Sequence, residues 1–254
     1  MRRVFIFIIF ISLFGCSKNK NDVVINEGDV EVDVVLPQKA YFNSVRKQMA
    51  DADWEKYIYS EEISKFNDKT GGYQIGILLT NCAFASAIKN EDMVKKITDQ
   101  IIEFSGKLKI TDEKIVYEVI DMANSFDSLI NDENYKEISN RIQQIEFKLK
   151  KYYFESDDKE IVEQIKFGAW IEAYYIVSKA IRDDYSSEIT NLFNRNQEIN
   201  YFIETYSKYP EDFSNEINSL YAIKNFSNAK DGITKEKIEG IILEIEKLRK
   251  FYLS

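Results

Sequence analysis

Four polar side chains fall inside stretches that are otherwise apolar: Thr80 and Asn81 in the run 73–88, Glu172 in the run 165–181, and Asp121 in the stripe 115–130, which Asn124 also interrupts. A carboxylate in such surroundings must be hydrogen-bonded or paired, or it gives up its charge. Thr80, Asn81, Asp121 and Glu172 are therefore the candidates for a polar pocket between helices. One chemistry open to them is glycosidase-like, with Glu172 and a second acid flanking the bond to be broken. The plainer reading, and the preferred one, is that Glu172 satisfies helix ends or loop amides, or reaches water.

Other catalytic sets are incomplete. A serine or cysteine nucleophile of the triad type needs a neighbouring base, usually histidine, and the 254 residues include none. Cys82 sits in Asn81-Cys82-Ala83-Phe84-Ala85, an apolar helical run in which a thiol packs as a small hydrophobe. Zinc draws mainly on His and Cys, so no transition-metal site is expected. Gly71-Gly72 lacks the Lys-Ser/Thr of a phosphate loop, and no Asp-x-Asp-x-Asp-Gly calcium loop occurs. No catalytic residue, metal or cofactor is assigned, and a non-enzymatic role is the expectation.

The first residues carry a different kind of information. Arg2 and Arg3 precede an apolar run over 4–14, broken only by Ser12, and Gly15-Cys16 follows. Charge, apolar segment and small residue in that order make an export signal. The run is too short for a permanent span, which takes about 20 residues. Leu13-Phe14-Gly15-Cys16 resembles a lipobox, and on that resemblance the chain is similar to bacterial lipoproteins. The resemblance implies cleavage before Cys16, a diacylglycerol thioether on its sulfur, and a further acyl chain such as palmitate on the new amine. Two chains or more anchor a protein stably where one does not. The expected organisation is a signal peptide over 1–15, lipidated Cys16 with a flexible tether over 16–38, and one helical domain over 39–254. The expected location is the cell envelope, with Ser17 pointing to the outer membrane where there are two.

Composition supports a helical domain. Apolar residues make up 44% of the chain and charged ones 30%, with only two prolines and nine glycines, too few breakers for a many-turned sheet. Removal of the leader takes away two of the 34 basic side chains and none of the 43 acidic ones, which deepens the net charge from −9 to −11. Nucleic acid is not an expected partner, because a phosphate-binding surface needs a basic excess.

Apolar residues recur at three and four: Met93, Ile97, Ile101 and Phe104; Ile115, Val119, Met122, Phe126 and Leu129; Ile138, Ile142, Ile145 and Leu149; Ile238, Ile241, Ile245, Leu248 and Tyr252. This periodicity predicts an all-α fold of about nine helices, near 40–66, 72–89, 91–106, 112–130, 133–154, 158–182, 186–207, 211–227 and 234–253. Two of them, 72–89 and 158–182, are apolar nearly all round and belong in the middle. They also align: Gly76 falls on Gly168, and Ala87-Ile88 on Ala180-Ile181 after a one-residue shift. The expectation is two pseudo-repeated four-helix units, 72–154 and 158–253, packed through these central helices, with 40–66 as a leader. A mid-helix glycine costs up to about 1 kcal/mol against alanine, so one at the matching place in each half predicts close contact of the two central backbones.

Tyr73-Gln74-Ile75-Gly76 with Ala83-Phe84-Ala85, and Gly168-Ala169-Trp170-Ile171-Glu172-Ala173-Tyr174, resemble the two helical signatures of a group of uncharacterised all-helical lipoproteins from the Bacteroidota. The likeness runs from about residue 70 to the end and implies fold and location but no activity. The functional expectation is a membrane-anchored envelope protein that binds a protein partner or a small ligand, with its groove between the two halves.

Overall fold

The computed structural model describes residues 38–254 except 60–62, 109, 111, 187–188, 191–192, 194 and 229–232. The expected signal peptide, Cys16 and all of the tether but Gln38 lie outside the described residues. Among those residues there is no strand, and the helices are α1 (Gln38–Gln48), α2 (Gly71–Ile88), α3 (Glu91–Ser105), α4 (Glu113–Asn124), α5 (Phe126–Asn131), α6 (Tyr135–Glu155), α7 (Lys159–Asp183), α8 (Asn196–Tyr206), α9 (Ser214–Ser227) and α10 (Lys235–Leu253). The nine predicted helices all have counterparts, the segment 112–130 being divided at Ser125 into α4 and α5. The fold is all-α.

Side-chain caps fix several starts. Asn90 accepts from Met93 N (3.0 Å), Asp112 from Lys114 N (2.9 Å) and Thr234 from Lys237 N (3.4 Å), each taking one of the free amides that open a helix. At α6 the cap is Asn134, accepting from Glu137 N (3.3 Å), one residue past the Asp132-Glu133 signpost.

Two predicted helices are shorter than their patterns. The leader ends at Gln48, and the chain then takes a 3₁₀ turn at Trp54–Lys56 and a left-handed residue at Tyr59 (φ 51°). This path is pinned from outside. Tyr59 N donates to Asn81 Oδ1 (2.7 Å), while Lys56 Nζ and Tyr57 OH both donate to Asp183 Oδ2 (2.8 Å). Burial works against the Asp183 carboxylate, but Lys56, Arg182 and Tyr57 together hold it well below the usual carboxylate range. In the segment 186–207 the α-helix starts at Asn196, and the described residues 189, 190 and 193 before it are in 3₁₀ conformation. Upstream, the chain drops Ile189 and Phe193 into the core, and Tyr174 OH donates to Phe193 O (3.3 Å), an acceptor that a continuing helix would have used internally.

At the centre α2 and α7 lie side by side over most of their length. A Cβ on Gly76 would stand 2.2 Å from Ile165 O and 2.7 Å from Ala169 N, and one on Gly168 would stand 2.2 Å from Tyr73 O. Each glycine thus admits the other helix's backbone, as the matching positions predicted. The partners across this seam are separated by 89 residues for Thr80 and Ala169 and by 91 for Asn81 and Glu172. The helices therefore run parallel, and each residue meets the near neighbourhood of its own counterpart.

Around that seam α3 and α6 flank α2, α10 flanks α7, and α9 closes on both α8 and α10. Tight α9–α10 packing is set by Gly240, where a Cβ would meet the Phe226 ring at 2.7 Å. Large rings carry α8: Phe202 packs edge-on to Phe167 (centroids 4.8 Å) and Tyr206 on the same ring at 5.2 Å. The leader α1 crosses both central helices, stacking Phe42 on Phe84 (3.9 Å) and donating from Arg46 to the Ala87 carbonyl.

Candidate functional site

Three of the four sequence candidates converge. Glu172, with no exposed surface, accepts from Asn81 Nδ2 (2.8 Å) at Oε1 and from Arg249 Nε (2.6 Å) at Oε2, with Arg249 NH2 at 3.2 Å from Oε1. Asn81 also donates to Ile77 O (3.1 Å), and its carbonyl takes Tyr59 N. Thr80 Oγ1 donates across the seam to Ala169 O (3.3 Å). Arg249 is 1% exposed, and its guanidinium carbon lies over the Tyr175 ring, 3.9 Å from its centroid. Asp121 stands apart, on the solvent face of α4, where it helps line a shallow open hollow with Tyr117, Glu118 and Asn124.

This centre is an ion pair with every carboxylate oxygen engaged. Two-point Arg–carboxylate geometry satisfies both partners at once. Glu172 has no exposed surface, and its two oxygens are held by Arg249 and Asn81 rather than by a second acid. At Gly76 and Gly168 the two central backbones touch, which leaves no room for a ligand between them at those positions.

The partner Arg249 was legible but unread. It lies four residues after Ile245 and three before Tyr252, inside the apolar stripe of α10, so helical phase alone marks it as an inward-facing cation. A second buried pair was missed as well: Arg195, 5% exposed, is bonded through Nε and NH2 to Glu198, 2% exposed, and its guanidinium covers the Tyr41 ring at 4.0 Å. An Arg-x-x-Glu spacing at a helix start is its signal.

A third buried carboxylate is held differently. Glu216, 5% exposed, accepts from Tyr252 OH (2.9 Å), and the Tyr252 ring stacks on Tyr73 at 4.0 Å. It lines a groove of about 320 Å³ between α9 and α10, together with Asn215, Asn218, Ser219, Glu244 and Phe251.

Cys82 fits the inert reading. Burial pushes its thiol up to about 12, and its one polar neighbour is Thr98 Oγ1 at 3.8 Å. The native protein should leave Cys82 unmodified by a disulfide reagent at pH 8 over a time in which the denatured chain reacts fully, since only the thiolate attacks. Rapid labelling of the folded state would show that the α2–α3 contact opens.

Among the described residues no three His, Cys, Asp or Glu side chains gather as a metal site, and no helix is long and apolar enough to cross a membrane. Comparison with family models, with curated proteins and with solved structures finds no match to this chain.

Proposed function

We propose that the protein is a lipid-anchored component of a bacterial cell envelope whose helical domain binds a protein partner or a small ligand on its outer surface. The observation that carries the anchor is the order Arg2-Arg3, apolar 4–14, Gly15, Cys16 at the start of the sequence. Support for binding rather than catalysis comes from the interior. Buried Glu172 and Glu198 each have their own arginine, and the backbones of α2 and α7 touch at Gly76 and Gly168.

Growth of an expressing bacterium on an alkyne fatty acid tests the anchor. The wild-type protein takes up the label and sediments with membranes; Cys16→Ala does neither. A wild type as unlabelled as the variant overturns the proposal.

A further inference from the structure

Among the described residues, five charged side chains are buried: Glu172, Glu198, Glu216, Arg195 and Arg249. Two arginines serve two of the three carboxylates, and Glu216 has no cation. Tyr252 donates to its Oε1, and no hydrogen bond from a described residue reaches Oε2, which belongs to a side chain lining the α9–α10 groove. Oε2 is not fully enclosed: it opens onto the groove, and a carboxylate mostly withdrawn from water with no cation beside it favours an incoming positive charge. The first turn of α9 also favours a negative charge there, but the field of one helix end does not replace a counter-ion. The nearest lysine in the groove, Lys247, is 66% exposed and is taken by Glu244 Oε1 at 2.6 Å.

We propose that this groove binds a primary ammonium at the end of an alkyl chain, with Glu216 as its counter-ion. The missing charge is positive and small, and an ammonium brings three donors on a compact head. Glu216 Oε2 takes one of them, and the side-chain carbonyls of Asn215 and Asn218 on the same wall suit the others. Leu248 and the 57%-exposed Phe251 ring give the methylene stem an apolar wall, and an aromatic face also attracts the cation. A volume of about 320 Å³ is enough for a lysine side chain or a short diamine. Tyr252 stays a neutral donor to Glu216, because burial first, then Tyr73 and Glu216, hold its phenol well above the ordinary value.

This inference deepens the binder reading above and rests on it only for the claim that binding is the domain's role. Its test uses the full chain in detergent micelles, titrated calorimetrically with cadaverine and with N-acetyl-lysine amide, with hydrogen exchange followed over 214–227 and 235–253. Both probes are expected to bind and to slow exchange there, and Glu216→Gln, which keeps an acceptor for Tyr252, to weaken them about tenfold or more. Asn218→Lys, on an exposed position, places a competing ammonium at the mouth and should block both, which keeps the idea testable even where Glu216→Gln fails to fold. Tighter binding of cadaverine identifies a free polyamine as the source; equal or tighter binding of the lysine amide identifies a protein-borne lysine. No heat and no protection from either probe up to about 10 mM, or unchanged binding by folded Glu216→Gln, overturns the site. Neither result depends on acylation of Cys16, so failure here and failure of the anchor are separately visible.

Discussion

Gly168→Ala should lower the stability of the protein by about 3 kcal/mol, whereas the same change at an open mid-helix position would raise it by up to about 1 kcal/mol. The sign is decided by what the new methyl meets. It would lie 2.2 Å from Tyr73 O and 2.8 Å from both Tyr73 C and Cα. Those atoms belong to the backbone of α2 and cannot rotate aside as a side-chain tip could, so α2 and α7 must separate. Separation loosens the packing of Phe167 and Tyr73 and lengthens the Thr80 to Ala169 hydrogen bond. For a chain of this size the loss corresponds to roughly 6–12 °C in Tm. Gly76→Ala presses on Ile165 O and Ala169 N and should cost a similar amount. Since one methyl already parts the helices, the double variant should cost less than the sum of the singles. Thermal and urea unfolding of the three variants measure this. A neutral or stabilising Gly168→Ala would mean that the central backbones are not in contact.

That contact was readable from two glycines because glycine in an apolar helix is costly unless something needs the room. The helices over 71–155 were readable for a related reason: Asn90 and Asp112 offer caps where the apolar stripes begin, so local and tertiary preferences agree. Where they disagree, the sequence misleads. Trp54, Tyr57 and Ile58 keep a helix-like spacing and are all buried, yet the backbone under them is a turn held by Asn81 and Asp183, residues distant in sequence. Site residues divide the same way. Asn81 and Glu172 stood out as polar groups in apolar runs, and their meeting follows from the register of α2 on α7. Asp121 stood out equally, but α4 has a solvent face and Asp121 is on it. Arg249 was hidden because an arginine among Glu246, Lys247 and Lys250 looks like surface until its helical phase is counted. Glu216 carried the same kind of signal, four residues before Leu220 and seven before Ile223, but in a helix start rich in Asn, Ser and Glu it looked like surface.

Arg249→Met should be the most damaging single change at the polar centre, at about 3–5 kcal/mol. It removes the guanidinium and leaves Glu172 enclosed, with Asn81 Nδ2 as its one remaining donor among the described residues. Arg249→Lys should fall between, since an ammonium cannot reproduce the two-point contact at Oε1 and Oε2 or the guanidinium's contact with the Tyr175 ring. The informative variant is the double, Glu172→Leu with Arg249→Met. Desolvating two charges offsets much of what their attraction returns, so an apolar pair of similar volume should restore stability to within about 1 kcal/mol of wild type. The remaining deficit is the lost acceptor for Asn81, which keeps its bond to Ile77 O. A large coupling between the two positions in denaturant unfolding is therefore expected, with neither single variant approaching the double. If Arg249→Met instead unfolds like wild type, Glu172 must draw on water or a ligand. The centre between α2, α7 and α10 would then be a site open to chemistry rather than a closed joint.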